Sequence, residues 1–475
     1  MKHILLKSIM SLFLSSSLSL MSQNSMPDIQ ISENKHFLQY ENGKPFFYLG
    51  DTAWELFHRL NREEMDNYFS VRKQQGYNVV QAVALSEVDG LNVPNRYGFL
   101  PFNEFNPEKP AVKDGDNNDY WDNVDYAVEK ANSLGIYIGL LPTWGRYWND
   151  GKPLFNKDNA YKYGRFIGSR YKNKGVIWIL GGDRPADNKN KKEILRAMAK
   201  GIRDAGAKQL MTFHPCGGCG SSQWLNDEDW LDFNMRQNGH AVNYTGRYSN
   251  TINDYNLKRV RPVIDGEPVY EDHPIDFNPD NQGFSTSADV RRAIYWDLFN
   301  GACGHTYGHH AVWQMYDKEA GRGPINSPLL CWKDAIHQPG ATQMVYAKKL
   351  VESRPYFTRV PAPEIIVESE VRNSVPGAGR YHFNATKDSK NTYAFVYVPV
   401  GRRFEINLTE ALSDKNLVAW WYNPRNGEAK KIGKFKNEGN LSFISPTPGE
   451  NLDWILVVDN ASSRYKVPGK HKENK

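Results

Sequence analysis

Two short motifs place carboxylates at the ends of apolar runs: Gly181-Gly-Asp-Arg184 after Val176–Gly181, and Asp265-Gly-Glu-Pro268 after Pro262–Asp265. Hydrolysis of a glycosidic bond needs two carboxyl groups flanking one sugar carbon. One protonates the leaving oxygen, and the other attacks the carbon or activates water. Asp183 and Glu267 are the candidates for that pair. The residues expected to grip a sugar are Trp54, Trp144 and Trp313 for stacking, with Asp51, Glu87, His214, Gln237, His305 and Tyr307 for its hydroxyls. Plainer roles exist for several of them. Asp183 could pair with Arg184 or cap a helix, Glu267 could sit in a structural ion pair, Asp51 in a turn, and the tryptophans in the core. The chemical reading prevails because both carboxylates end runs that the topology sets opposite each other.

Two other groupings invite metal chemistry. His305, Tyr307 and His309 share one strand face, yet the run holds no carboxylate, so a hydrogen-bonding wall is expected rather than zinc. Cys216 and Cys219 form a single C-x-x-C with no second ligand pair at zinc spacing, which leaves an oxidised loop staple or plain buried thiols. No metal and no cofactor is expected, since protonation and covalent capture supply the chemistry.

The elements that must position these residues follow one grammar. Eight apolar runs recur along the chain: Phe46–Gly50, Asn78–Leu85, Ile136–Pro142, Val176–Gly181, Leu210–Phe213, Phe233–Arg236, Pro262–Asp265 and Gly304–Tyr307. Runs of this kind suit strands buried on both faces of a parallel sheet. Helical segments separate most of them. Asn61 precedes Glu64 by three residues in a capping pattern, and glycines at 76, 135, 175, 206 and 301 stop helices before the next run. The link Gly220–Asp232 is the shortest in the series. Eight such units predict an α/β fold, a (β/α)8 TIM barrel, whose reactive side chains gather at the C-terminal strand ends. A doubly wound sheet would want a glycine-rich phosphate loop after the first strand, where the chain reads Gly50-Asp-Thr-Ala-Trp54.

Past three prolines between Arg354 and Pro363 the pattern changes to alternating runs such as Tyr393–Val400, Phe404–Leu408, Leu417–Tyr422 and Trp454–Val458. Turn pairs Asn426-Gly427 and Pro448-Gly449 punctuate them, predicting a C-terminal β-sandwich. The expected organisation is a signal peptide over 1–25, a barrel over 26–355, a sandwich over 356–462 and a basic, disordered tail over 463–475. Lys2 and Lys7 before an apolar, serine-broken stretch give the secretory pattern, and hence a periplasmic or extracellular location.

The net charge of +5 looks like a nucleic-acid signal until it is placed. The first 25 residues hold two lysines and the last 15 a net four positive charges, so the body from Met26 to Asn460 carries −1. No nucleic-acid partner is expected. A membrane span is not expected either, as repeated apolar stretches of about 20 residues are missing. The 13% of aromatic residues excludes a disordered chain.

The motifs Tyr48-Leu-Gly-Asp-Thr-Ala-Trp54, Gly181-Gly-Asp-Arg-Pro185, Phe213-His-Pro215, Asp265-Gly-Glu-Pro268 and Gly304-His-Thr-Tyr-Gly308 resemble, in this order, the apiosidase-like glycoside hydrolases of family 140. Ala419-Trp-Trp-Tyr-Asn-Pro424 and Ile455-Leu-Val-Val-Asp459 resemble the domain, named for collagen binding, that usually follows that barrel. The resemblance implies a retaining, exo-acting enzyme that removes apiose-linked side chains from the pectic polysaccharide rhamnogalacturonan II. It makes Asp183 the acid/base and Glu267 the nucleophile. Most barrel glycosidases of the wider clan carry a Glu, often after Asn, at the strand-four end, where this chain has Gly182-Asp183. The expected partner is thus an oligosaccharide or polysaccharide substrate. The competing readings are a glycosidase of different sugar specificity, a non-catalytic glycan-binding protein on the same barrel, or a peptidase. The chain has no H-E-x-x-H motif for the last of these.

Overall fold

Eight apolar runs become eight parallel strands in the computed structural model, which describes residues 26–242, 246–369 and 378–470. The strands are β1 (Tyr48–Thr52), β2 (Val79–Val83), β3 (Tyr137–Leu141), β4 (Val176–Gly181), β5 (Met211–His214), β6 (Asn234–Gln237), β7 (Val263–Asp265) and β8 (Gly304–Tyr307). Hydrogen-bonded neighbours run β5-β4-β3-β2-β1-β8-β7-β6. Every residue of these eight strands is buried, so alternation is invisible in the sequence and continuous apolar runs result.

The sheet curls into a nearly closed barrel whose seam lies between β5 and β6. There the ladder is replaced by the Asp232 N–H to Met211 carbonyl bond at 2.8 Å and the Thr212 hydroxyl to Phe233 carbonyl bond at 2.6 Å. That seam coincides with the short Gly220–Asp232 link. In place of a full helix it holds one turn, Ser222–Leu225, and a two-residue strand, Cys219–Gly220, antiparallel to β6. This ninth strand completes the sheet.

Outer helices are α1 (Arg62–Gln74), α2 (Tyr120–Ser133), α3 (Lys157–Tyr171), α4 (Lys189–Asp204), α5 (Gly246–Tyr255), α6 (Ser287–Phe299) and α7 (Pro339–Glu352). The Asn61–Glu64 capping box forms as the sequence implied, with Glu64 N–H donating to Asn61 and Asn61 N–H to Glu64. Helices α3 and α4 start at the caps supplied by Asn156 and Asn188.

The C-terminal strands are β9 (Arg359–Pro361), β10 (Ile366–Ser369), β11 (Asn384–Asp388), β12 (Tyr393–Val398), β13 (Gly401–Asn407), β14 (Asn416–Tyr422), β15 (Ala429–Lys436), β16 (Asn440–Gly449) and β17 (Trp454–Asn460). They form an antiparallel six-stranded sheet, β9-β11-β12-β17-β14-β15, and a three-stranded one, β10-β13-β16. Pro448-Gly449 ends β16 instead of forming a free turn, with Gly449 opposite Gly401.

The central strands β12 and β17 of the six-stranded sheet are buried on both faces. Ala394, Val396, Val398, Leu456 and Val458 meet the smaller sheet, while Tyr393, Phe395, Tyr397, Ile455 and Val457 belong to the barrel's own core. Helix α6 lies between barrel and sheet and has all but one of its residues buried. Across this contact Tyr295 stacks on Tyr397 at 5.1 Å, and Arg291 binds Asp453 at 2.7 Å.

The expected disordered tail is corrected as far as Lys470: Pro468 is buried and Gly469 packs beside the Tyr422 ring. Residues 471–475 and the leader at 1–25 lie outside the described residues. Among the described residues no helix is long and apolar enough to cross a membrane.

Candidate active site

The C-terminal ends of the barrel strands open into a cavity of about 470 Å³, within the usual range for small-ligand sites. Its lining includes Asp183, Glu267, Glu87, Trp54, Trp144, Gln237 and Trp313, seven of the eleven residues singled out in the sequence. An eighth, His214, is fully buried directly beneath Glu267.

Asp183 reaches the cavity on a turn that only glycines permit. Gly181, Gly182 and Asp183 have φ of 99°, 105° and 55°. A side-chain carbon on Gly181 would lie 2.5 Å from the His214 carbonyl, and one on Gly182 would lie 2.8 Å from the Trp144 ring. Asp tolerates the left-handed region better than most residues, which suits it to the third place. Arg184 touches the Asp183 carboxylate at 3.2 Å, but its guanidinium fork is spent on Asp150, at 2.8 and 3.0 Å. Asp183 is therefore not consumed by its neighbour, and a third of its side chain stays exposed, at 34%.

Glu267 sits in the opposite environment. His214 Nε2 lies 2.9 Å from one carboxylate oxygen and His240 Nε2 3.3 Å from the other. The Asp183 backbone N–H donates to His214 Nδ1 at 3.2 Å, which leaves Nε2 to face Glu267. Tyr270 also faces Glu267 and accepts from Trp54 Nε1 at 3.2 Å.

These surroundings drive the carboxyl groups apart. Burial alone would raise Glu267, but His214 and His240 hold it well below the usual carboxylate range. Burial and the nearby negative charge of Glu267 raise Asp183. Glu87 is pushed up to about 8, first by burial and then by Asp183, Glu55 and Glu267. One carboxylate is thus held ionised while its neighbours favour their protons, the separation an acid and a nucleophile require.

Trp54 and Trp144 form the floor, with ring centroids 5.2 Å apart and both against His214. Trp144 Nε1 is buried and has no hydrogen-bond partner among the described residues.

Three expected contacts are not in the cavity: Asp51, His305 and Tyr307 are buried behind the barrel wall. Asp51 binds Arg72 of α1 at 2.6 Å and accepts from Tyr68. His305 Nδ1 lies 2.9 Å from Asp297 of α6. The Tyr307 hydroxyl donates to Glu271 at 2.6 Å. The cause is parity. Side chains alternate along a strand, and on β1 and β8 these positions face the helix layer, not the lumen.

Asp265, Asp297 and His305 bring ligating atoms within 4.8 Å of one another. Those oxygens already take donors, with Asn238 at 2.9 Å and Arg247 at 3.3 Å from Asp265 and Thr251 at 3.0 Å from Asp297. The Arg247 guanidinium occupies the electrostatic role a cation would have there. The sulfurs of Cys216 and Cys219 lie 2.7 Å apart, flanking Gly217 of the cavity lining.

Sequence reasoning did not assign Tyr270, His273, Arg146 or Phe277 to the site, and placed His240 only at the end of the sixth run among rim groups that could bind hydroxyls. His240 lies three residues past Gln237, and Tyr270 three past Glu267. A ring residue on the loop just after each candidate strand end was the available signal.

The chain matches the family described as "Apiosidase-like, catalytic domain" over residues 32–358 and the one described as "Putative collagen-binding domain of a collagenase" over 360–459. No curated protein matches it. A solved structure named as a glycoside hydrolase superposes with a TM-score of 0.84 at 33% identity, covering 93% of this chain and 98% of the other. A second, a glycoside hydrolase family 5 protein from Bacteroides vulgatus, gives 0.82 at 34% identity, covering 92% and 94%.

Proposed function

Because the chain belongs to the apiosidase-like family of glycoside hydrolases, we propose that it is a retaining, exo-acting enzyme that releases apiose-linked side chains from rhamnogalacturonan II. The observation that carries the mechanism is the pair Asp183 and Glu267, set in one cavity with environments that move their protons in opposite directions.

Glu267, ionised, attacks the anomeric carbon. The bond to the leaving oxygen breaks, and that oxygen takes the Asp183 proton. His214 and His240 aim the carboxylate. Once Glu267 is esterified its negative charge is gone, and with it one of the causes that raise Asp183. Asp183 then becomes the stronger acid, stays ionised, and takes a proton from the water that frees the sugar. The short Asp183 side chain fits this role because the Gly181-Gly182 turn advances its backbone into the cavity.

Exo action rests on the family resemblance, and a cavity floored by Trp54 and Trp144 would stack a terminal sugar. The apiose specificity and the pectic substrate rest on family membership. The work is divided between a (β/α)8 TIM barrel over 26–355, which holds the site, and a β-sandwich over 356–462, which supports it. The leader over 1–25 would deliver the protein to the periplasm or the exterior, where such polysaccharides are met.

Glu267→Gln keeps the hydrogen-bonding shape and removes the nucleophile. Turnover should vanish while substrate still perturbs the fluorescence of Trp54 and Trp144. Turnover within a few-fold of the parent would defeat the mechanism.

A further inference from the structure

Phe277 lines the cavity yet is 61% exposed, a large apolar ring left in water at the mouth of a polar site. Its position is specified. Asp276 and Phe277 both take left-handed backbone, at φ of 51° and 58°, a costly arrangement for two side-chain-bearing residues in succession. The loop that holds them is tied at each level. Ile275 N–H donates to the Gly283 carbonyl, Ser285 N–H to the His273 carbonyl, Asp272 N–H to the Ser285 carbonyl and His273 N–H to the Ser285 hydroxyl, all at 3.0 Å. The Phe277 ring meets the His273 ring edge-on at 4.8 Å, and His273 stacks on His240 at 4.2 Å. His240 reaches Glu267 at 3.3 Å. A continuous line of rings therefore runs from the solvent to the nucleophile.

We propose that Phe277 is the platform for the leaving-group side of the substrate, stacking on the C–H face of the sugar unit to which the cleaved residue is attached. The assignment rests on the exo reading above. If the terminal sugar fills the floor of the cavity, the rest of the chain, which departs with the glycosidic oxygen, has to lie across the mouth. Phe277 is an exposed ring there, held rigid in advance, so stacking on it costs little ordering.

The chain carries its own control. Glu104-Phe105-Asn-Pro107 repeats the pattern of Asp276-Phe277-Asn-Pro279, with φ of 56° and 55°, and leaves Phe105 48% exposed. Phe105 lies on the loop after β2 and does not line the cavity.

The test compares a methyl apioside, which offers nothing to stack, with an apiose-linked disaccharide. Phe277→Ala should lower kcat/KM about 3- to 10-fold on the disaccharide, the scale of one aromatic stacking contact, and less than 2-fold on the methyl glycoside. Phe277→Trp should restore the disaccharide rate, and Phe105→Ala should change neither. Equal losses on both substrates, or no loss on the disaccharide, would overturn the platform alone. A parent enzyme that cleaves neither apioside would overturn the proposed substrate and this assignment with it.

Discussion

Replacing Gly182 with alanine tests whether the turn after β4 delivers the acid. Gly182 has φ of 105°, where an L side chain is strained. Its new methyl would lie 2.8 Å from the Trp144 ring and 2.9 Å from the Gly145 backbone nitrogen. The backbone term costs about 1–2 kcal/mol, and forcing a methyl into a packed contact adds about 1–3 kcal/mol. The folded state should therefore lose about 2–5 kcal/mol, unless the turn shifts to relieve it. A shift moves Asp183, and a displacement near 1 Å costs on the order of 100-fold in rate. Gly439→Ala separates the two terms, because its φ is 64° and nothing lies within 4 Å of the added carbon. The assays are the urea midpoint and kcat/KM on methyl and aryl apiosides. A displaced acid should spare the aryl substrate, whose leaving group needs little protonation, while a displaced nucleophile would spare neither. If Gly182→Ala matches Gly439→Ala in midpoint and in both rates, the turn does not position the acid and the reasoning fails.

Further outcomes come from the same geometry. Asp183→Asn should cost at least about 100-fold on alkyl apiosides and least on aryl ones; an equal loss on both would remove Asp183 from the acid role. Glu87 holds its proton up to a pKa of about 8, so as a hydrogen-bond donor it contributes below that pH and is lost above it. The alkaline limb of kcat/KM should fall near pH 8 in the parent and move in Glu87→Gln, and an unchanged limb would assign it elsewhere. Asp51→Asn should leave the Arg72 guanidinium uncompensated in the core and cost about 3–5 kcal/mol, read as a lower urea midpoint with KM within about 2-fold of the parent. A raised KM at unchanged stability would return Asp51 to the substrate.

The barrel was legible because burial on both faces writes each strand as an unbroken apolar run, and because glycines end the helices before most of them. Both catalytic candidates were legible for the same reason, as they terminate such runs. The same burial hid parity. Asp51, His305 and Tyr307 sit on strands where every position is enclosed, so nothing in the residue types says which side faces the lumen. Loop excursions were equally silent. The approach of His240 to Glu267 depends on loops after two different strands, and their meeting is set by the curl of the sheet. In the C-terminal sheets, β15 gives little strand signal because its Lys-rich, largely exposed residues lack apolar alternation. Strand β12, Tyr-Ala-Phe-Val-Tyr-Val, reads like a parallel barrel strand although it is antiparallel, since it too is covered on both sides.

That double coverage bears on how such a chain can change. A C-terminal module joined only by a linker can be exchanged by recombination, since its neighbour's packing does not depend on it. Here one side of the second sheet completes the first domain's interior. Any replacement would have to bring aromatic rings opposite Tyr295 and Phe299 and an acid opposite Arg291. A graft that ignored the shared wall would leave the hydrolase barrel with an exposed core.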